Sequence, residues 1–236
     1  MKNSTSAPGL IIIPIAIGVA GVLSMTVTAR LLQNGKLPMW MISPHEIVNF
    51  TFTMQLMILP LSFIAVALIH QYNKENFKTF FRFKIKSEEA EGNWNSMGTV
   101  IAIAFTLGNA LLMSISVTAQ NGLINGTFFK LIPMVLLLSA TNAWSEEIFS
   151  RLVIVAGLDG KLKPDTICLI SAIIFGVPHF FGTPSGLFGI IASGLLGWFL
   201  AKSVIETKSL GWALLIHFLQ DIVIFGSGAM IIAGNQ

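Results

Sequence analysis

The sequence predicts an all-α fold, a polytopic bundle of about seven transmembrane helices. Three observations carry this. Of the 236 residues, 54% are hydrophobic and only 11% charged, where a soluble domain averages about 25% charged. Mean hydropathy is +0.78. The apolar residues fall in runs close to the ~20 residues that a helix needs to cross a bilayer. No internal repeat, low-complexity tail or soluble domain interrupts them, so residues 1–236 read as a single transmembrane domain. The bilayer is the first expected partner. The net charge of +3 calls for no nucleic acid, because basic loops beside spans are expected. The single Cys168 lies in an apolar run, which excludes an intramolecular disulfide and argues against a thiolate metal site.

The first span runs from about Gly9 to Leu31. Its apolar run is longer than a signal-peptide core, and no small-residue cleavage site argues for its removal, so it reads as a retained span. The second runs from Glu46 to His70. Gln71 to Ser96 then carries Lys74, Lys78, Arg82, Lys84, Lys86 and four glutamates, with Phe77, Phe80, Phe81 and Phe83 interleaved. That mixture reads equally as an amphipathic segment on the membrane surface or as a solvated loop with packed aromatics. The third span is Met97 to Ala119, followed by a turn-rich loop from Gln120 to Gly126. The fourth is Leu131 to Leu158, broken off by Gly157, Asp159, Gly160 and Pro164. The fifth, Asp165 to Phe181, is short, and Pro178 should break its helix just before His179. The sixth, Leu187 to Lys202, holds Gly189, Gly194 and Gly197, which let helices approach closely. The seventh runs from Leu210 to Ile232.

Seven spans place Lys2, the bases from Lys74 to Lys86, Lys161, Lys163, Lys202 and Lys208 on one side, and only Arg30, Lys36 and Lys130 on the other. The positive-inside rule then puts the N-terminus in the cytoplasm and the C-terminus outside, with a bacterial plasma membrane as the expected location. A re-entrant fifth segment would invert the C-terminal half.

The fourth span contains Trp144-Ser145-Glu146-Glu147-Ile148-Phe149-Ser150-Arg151. Two carboxylates and a guanidinium at that depth cost several kcal/mol unless paired or put to use. Glu147 and Arg151 are four apart and share a helical face, so they can pair. Glu146 is rotated by about 100° and points elsewhere. A buried carboxylate with no such partner suits proton transfer. His179 ends the fifth span. His217 and Asp221, again four apart, share a face of the seventh. At about 1.5 Å per residue, Glu146, His179, His217 and Asp221 all lie roughly 11–21 Å from the cytoplasmic ends. The bland readings are a structural Glu147–Arg151 clamp and histidines that only bond helix to helix. Two histidines level with a glutamate and an aspartate favour a functional pocket. His45 and His70 stand at span ends, and Met25, Met54, Met57 and Met113 read as core residues.

Glu146-Glu147-x-x-x-Arg151, Phe175-x-x-x-His179 and His217-x-x-x-Asp221, in this order and all within spans, resemble the CAAX protease and bacteriocin-processing (Abi) family of intramembrane proteases. Type II CAAX prenyl endopeptidases are its best-known members. The resemblance covers roughly residues 128–232 and implies roles. Glu146 and His179 would activate a water, His217 and Asp221 would stabilise an oxyanion or bind a metal, and Glu147 and Arg151 would hold the pocket together. Many members have Asn where Asp221 stands. An ionised Asp accepts hydrogen bonds but cannot donate them, although it would suit a metal. Glu146, His179 and His217 would make a His-His-Glu set of the kind that binds zinc, with Asp221 as a further candidate. The favoured expectation is a metal-free, glutamate-dependent endopeptidase acting on a peptide or protein at the membrane, with zinc as the alternative. A non-catalytic bacteriocin-immunity protein is the rival reading. A proton-coupled transporter is disfavoured by the lack of an inverted repeat.

Overall fold

The computed structural model describes residues 9–85 and 93–236. Among these, every regular element is helical: α1 (Gly9–Gln33), α2 (Glu46–Tyr72), the short α3 (Lys74–Phe80), α4 (Trp94–Ala119), α5 (Gly126–Glu147), a π turn (Ile148–Leu152) leading into α6 (Val153–Leu158), α7 (Pro164–Gly176) with a 3-10 extension (Val177–Phe180), α8 (Gly186–Thr207) and α9 (Gly211–Gly234). Six helical stretches are long and apolar enough to cross a membrane, α5 and α6 counting as one, and Pro164–Phe180 is a shorter seventh. The chain is an integral, multi-pass membrane protein.

Contacts between helix ends sort the loops onto two sides. On one side the Tyr72 hydroxyl bonds the Leu10 carbonyl, and Lys161 Nζ donates to Tyr72 at 3.0 Å. The Asn73 and Asn76 amides each reach the Ala156 carbonyl at 3.2 Å. The Ser209 hydroxyl lies 2.9 Å from the Arg82 carbonyl. On the other side Leu123 N donates to Met230 O at 2.9 Å, and the Arg30 guanidinium lies 5.2 Å from the Phe181 ring centre. Pro164 follows the first group of loops and Phe181 meets the second, so the short fifth segment crosses rather than re-enters. Its 13 α-helical residues rise about 20 Å, and four residues in 3-10 form add about 8 Å. That nearly spans the ~30 Å hydrocarbon layer.

The described part of the polar stretch after α2 begins with a short helix. α3 has seven residues, capped by the Asn73 side chain on Asn76 N. Phe80 is fully buried, and Phe77 stacks on Phe81 at 4.7 Å, so these aromatics pack inward. Lys86 and the glutamates of residues 86–92 lie outside the described residues.

The fourth span is the core around which the others gather. Ile148 and the run from Leu152 to Ala156 are inaccessible. Its first turn is set by Asn125, whose side chain accepts from Thr127 N and Phe128 N, as an N-cap residue should. α7 and α8 lie against each other at Gly176. A Cβ there would come 2.8 Å from the Ile190 carbonyl oxygen and 2.9 Å from Gly194 Cα. Glycine is the residue that allows this approach, and the approach fixes the position of Phe175 beside the π turn, where its ring lies under Arg151.

Candidate active site

α5 presents Asn142 and Glu146 on one face, four residues apart, toward α9. After Glu147 the helix widens into the π turn, a local distortion frequent at functional sites. Polar contacts fasten this turn. The Ser150 hydroxyl bonds the Glu146 carbonyl, Arg151 Nη1 donates to Ser150 Oγ at 2.5 Å, and Ser171 Oγ of α7 donates to the Ser150 carbonyl at 2.6 Å.

Glu147 and Arg151 are both wholly buried, with Arg151 Nε 3.0 Å from Glu147 Oε2. The pair is at ion-pair distance but off hydrogen-bond angle, and Arg151 Nη2 has no hydrogen-bond partner among the described residues. The guanidinium instead lies 4.0 Å over the Phe175 ring, where the aromatic face attracts a cation. The second Glu147 oxygen does something sequence spacing did not disclose. Oε1 lies 2.7 Å from His217 Nδ1. With Nδ1–H donating to Glu147, His217 turns Nε2 toward Glu146 Oε2 and Asp221 Oδ2, each 3.7 Å away. Asp221 shares a helical face with His217 yet is not its hydrogen-bond partner. Glu147, seventy positions away in the chain, is.

Glu146 is the most accessible of these carboxylates, its side chain 18% exposed into a cavity of about 700 Å³. It is also less isolated than its helical position implies. Asn142 Nδ2 lies 3.2 Å from Glu146 Oε1 and 3.2 Å from Asp221 Oδ2. Sequence reasoning passed over Asn142, although an amide four residues before a carboxylate within an apolar span was a visible signal. His179 sits in the 3-10 extension, where its Nδ1 bonds the Phe175 carbonyl at 2.7 Å. Phe175 stands between the histidines, its ring centre 4.7 Å from His179 and 5.4 Å from His217. His179 thus lines the same cavity as Glu146, His217 and Asp221, but its hydrogen bond goes to Phe175 and to none of them. Apolar side chains of α4, α8 and α9, among them Leu111, Phe188 and Ile224, form the remaining walls.

Among the described residues no three His, Cys or acidic side chains form a set that could hold a metal ion. An amide donor occupies one oxygen of each of Glu146 and Asp221, and His179 Nδ1 is bonded to the Phe175 carbonyl.

Residues 128–223 match the family model of the type II CAAX prenyl endopeptidase Rce1-like proteins. The matched segment runs from the first turn of α5 into the middle of α9. It contains Glu146, Glu147, Arg151, His179, His217 and Asp221, whereas α1 to α4 lie outside it. No curated protein matches, and no solved structure matches.

Proposed function

We propose that this chain is an intramembrane endopeptidase that hydrolyses a peptide bond at or near the membrane, with a water activated by Glu146. One observation carries the reading. A partly accessible carboxylate at the polar end of an apolar cavity faces an imidazole nitrogen at 3.7 Å, while the other nitrogen of that ring is held by a buried carboxylate at 2.7 Å. The match to a prenyl endopeptidase family supports hydrolysis, and the mostly apolar cavity walls suit a hydrophobic peptide or protein entering from the bilayer.

In this mechanism Glu146 takes a proton from the water as the water oxygen bonds to the peptide carbonyl carbon. The carbonyl oxygen becomes an oxyanion. His217, when doubly protonated, offers Nε2–H to it, with Glu147 fixing the ring through Nδ1. Glu146 then passes its proton to the leaving nitrogen as the C–N bond breaks, and an acid and an amine result. His179, anchored through Nδ1, keeps Nε2 for the water or the substrate. Asp221 accepts hydrogen bonds at the edge of the site. No step runs through a metal.

Purified protein with a membrane-associated reporter peptide tests this. Wild type should cleave it. Glu146→Gln should fold normally and lose activity by at least about 100-fold, as expected for removal of a general base. Full activity in Glu146→Gln would overturn the assignment. A strong chelator should leave cleavage intact, and a complete, zinc-reversible loss would overturn the metal-free reading.

A further inference from the structure

We infer that Asn142 is a positioning residue of this centre, its amide bridging Glu146 and Asp221 and supplying from α5 the donor that position 221 of α9 lacks. This rests on the endopeptidase reading. Two carboxyl groups stand 3.7 Å from the same imidazole nitrogen, a close pair of acceptor groups that a hydrogen-bond donor placed between them would hold in position. A neutral amide with two N–H groups is such a donor. Asn142 Nδ2 reaches both carboxylates at 3.2 Å, so each can take one hydrogen.

The atoms involved give the bridge a direction. Asn142 holds Oε1 of Glu146, and Oε2 is the oxygen turned to His217. The amide thereby selects which oxygen is presented to the imidazole and to a water beside it. On the far side it holds Oδ2 of Asp221, the oxygen that also faces His217. Asn142 and Glu146 are spaced so that the helix itself presets one half of the bridge, while the contact of α5 with α9 makes the other half. Asp221 can only accept when ionised, so the amide on the facing helix supplies the donor of the pair formed by positions 142 and 221.

A simple helix-to-helix hydrogen bond is the competing explanation, and a swap separates the two. Asn142→Asp leaves the carboxylates without a donor between them. It should lower kcat by about 10–100-fold, the usual loss when an orienting partner is removed, with KM little changed. Asn142→Asp combined with Asp221→Asn returns one amide to the pair from the opposite helix and should recover most of the loss. A folded Asn142→Asp with wild-type kcat, or a double variant no better than the single, would overturn the bridge.

A second readout needs no turnover. The infrared band of protonated carboxyl groups in purified protein should change its pH midpoint in Asn142→Leu. It should not change in Gln55→Leu, which removes a buried amide bonded to Thr141 on α5. An unmoved midpoint in Asn142→Leu would also overturn the bridge. If wild type leaves the peptide uncut, the endopeptidase reading falls; if Glu146→Gln cleaves like wild type, the assignment of Glu146 as the base falls. In either case the infrared result still decides for or against Asn142. If Glu146→Gln is dead while Asn142→Asp is not, the bridge alone falls.

Discussion

Glu147 and Arg151 are the residues on which the centre depends most for its integrity. Both are wholly buried, and Glu147 serves two partners, one on its own helix and one on α9. Glu147→Ala should cost about 3–5 kcal/mol, because it strands a guanidinium in the interior. It should also release His217. Thermal unfolding in detergent measures the first effect. Replacing both charges, as in Glu147→Ala with Arg151→Met, should recover much of that stability, since apolar replacements of buried pairs are often tolerated. Activity should stay low in the double variant, because Nδ1 of His217 has lost its acceptor. A double variant as unstable as the single would argue that Arg151 is held by Phe175 rather than by Glu147.

At the scale of elements, the π turn and the α7–α8 crossing set the positions of the functional side chains. The turn follows directly on Glu147 and is tied to α7 through Ser171. The crossing depends on Gly176 much more than on Gly194. A Cβ on Gly176 would meet backbone at 2.8 Å, whereas one on Gly194 would meet only the Ala172 carbonyl at 3.7 Å. Gly176→Ala should therefore destabilise by about 1–3 kcal/mol, as overpacking does. It should also reduce activity by shifting Phe175 and His179. Gly194→Ala should be nearly silent in both. Thermal midpoints and cleavage rates of the two variants check the contrast, and equal behaviour would sink it.

At the scale of the molecule, six long apolar helices and the shorter Pro164–Phe180 lead to the expectation that the start of α1 and the end of α9 face opposite sides of the membrane. Lys74, Lys78, Arg82, Lys84, Lys161, Lys163 and Lys208 gather on the side where α1 begins. Reporters fused at Lys84 and after Gln236 should accordingly report cytoplasm and exterior. Both reporters on one side would contradict the crossing of the fifth segment, and exchanged sides would contradict the charge argument alone.

The sequence by itself determined the helical class, the spans and their order, because crossing hydrocarbon demands long apolar runs that leave their own signature. It also made Glu146, Glu147, Arg151, His179, His217 and Asp221 stand out, since ionisable groups within such runs are rare and costly. Spacing within one helix made the Glu147–Arg151 pair legible, because the helical period is local. What spacing could not carry was every relation between helices. That Glu147 rather than Asp221 holds His217, that Asn142 joins Glu146 to Asp221, and that Phe175 stands between two histidines depend on how α5, α7 and α9 rotate against one another. That rotation is decided by close packing at glycines such as Gly176 and by the widened turn after Glu147. Both are cooperative properties of the assembled bundle, which no single span encodes.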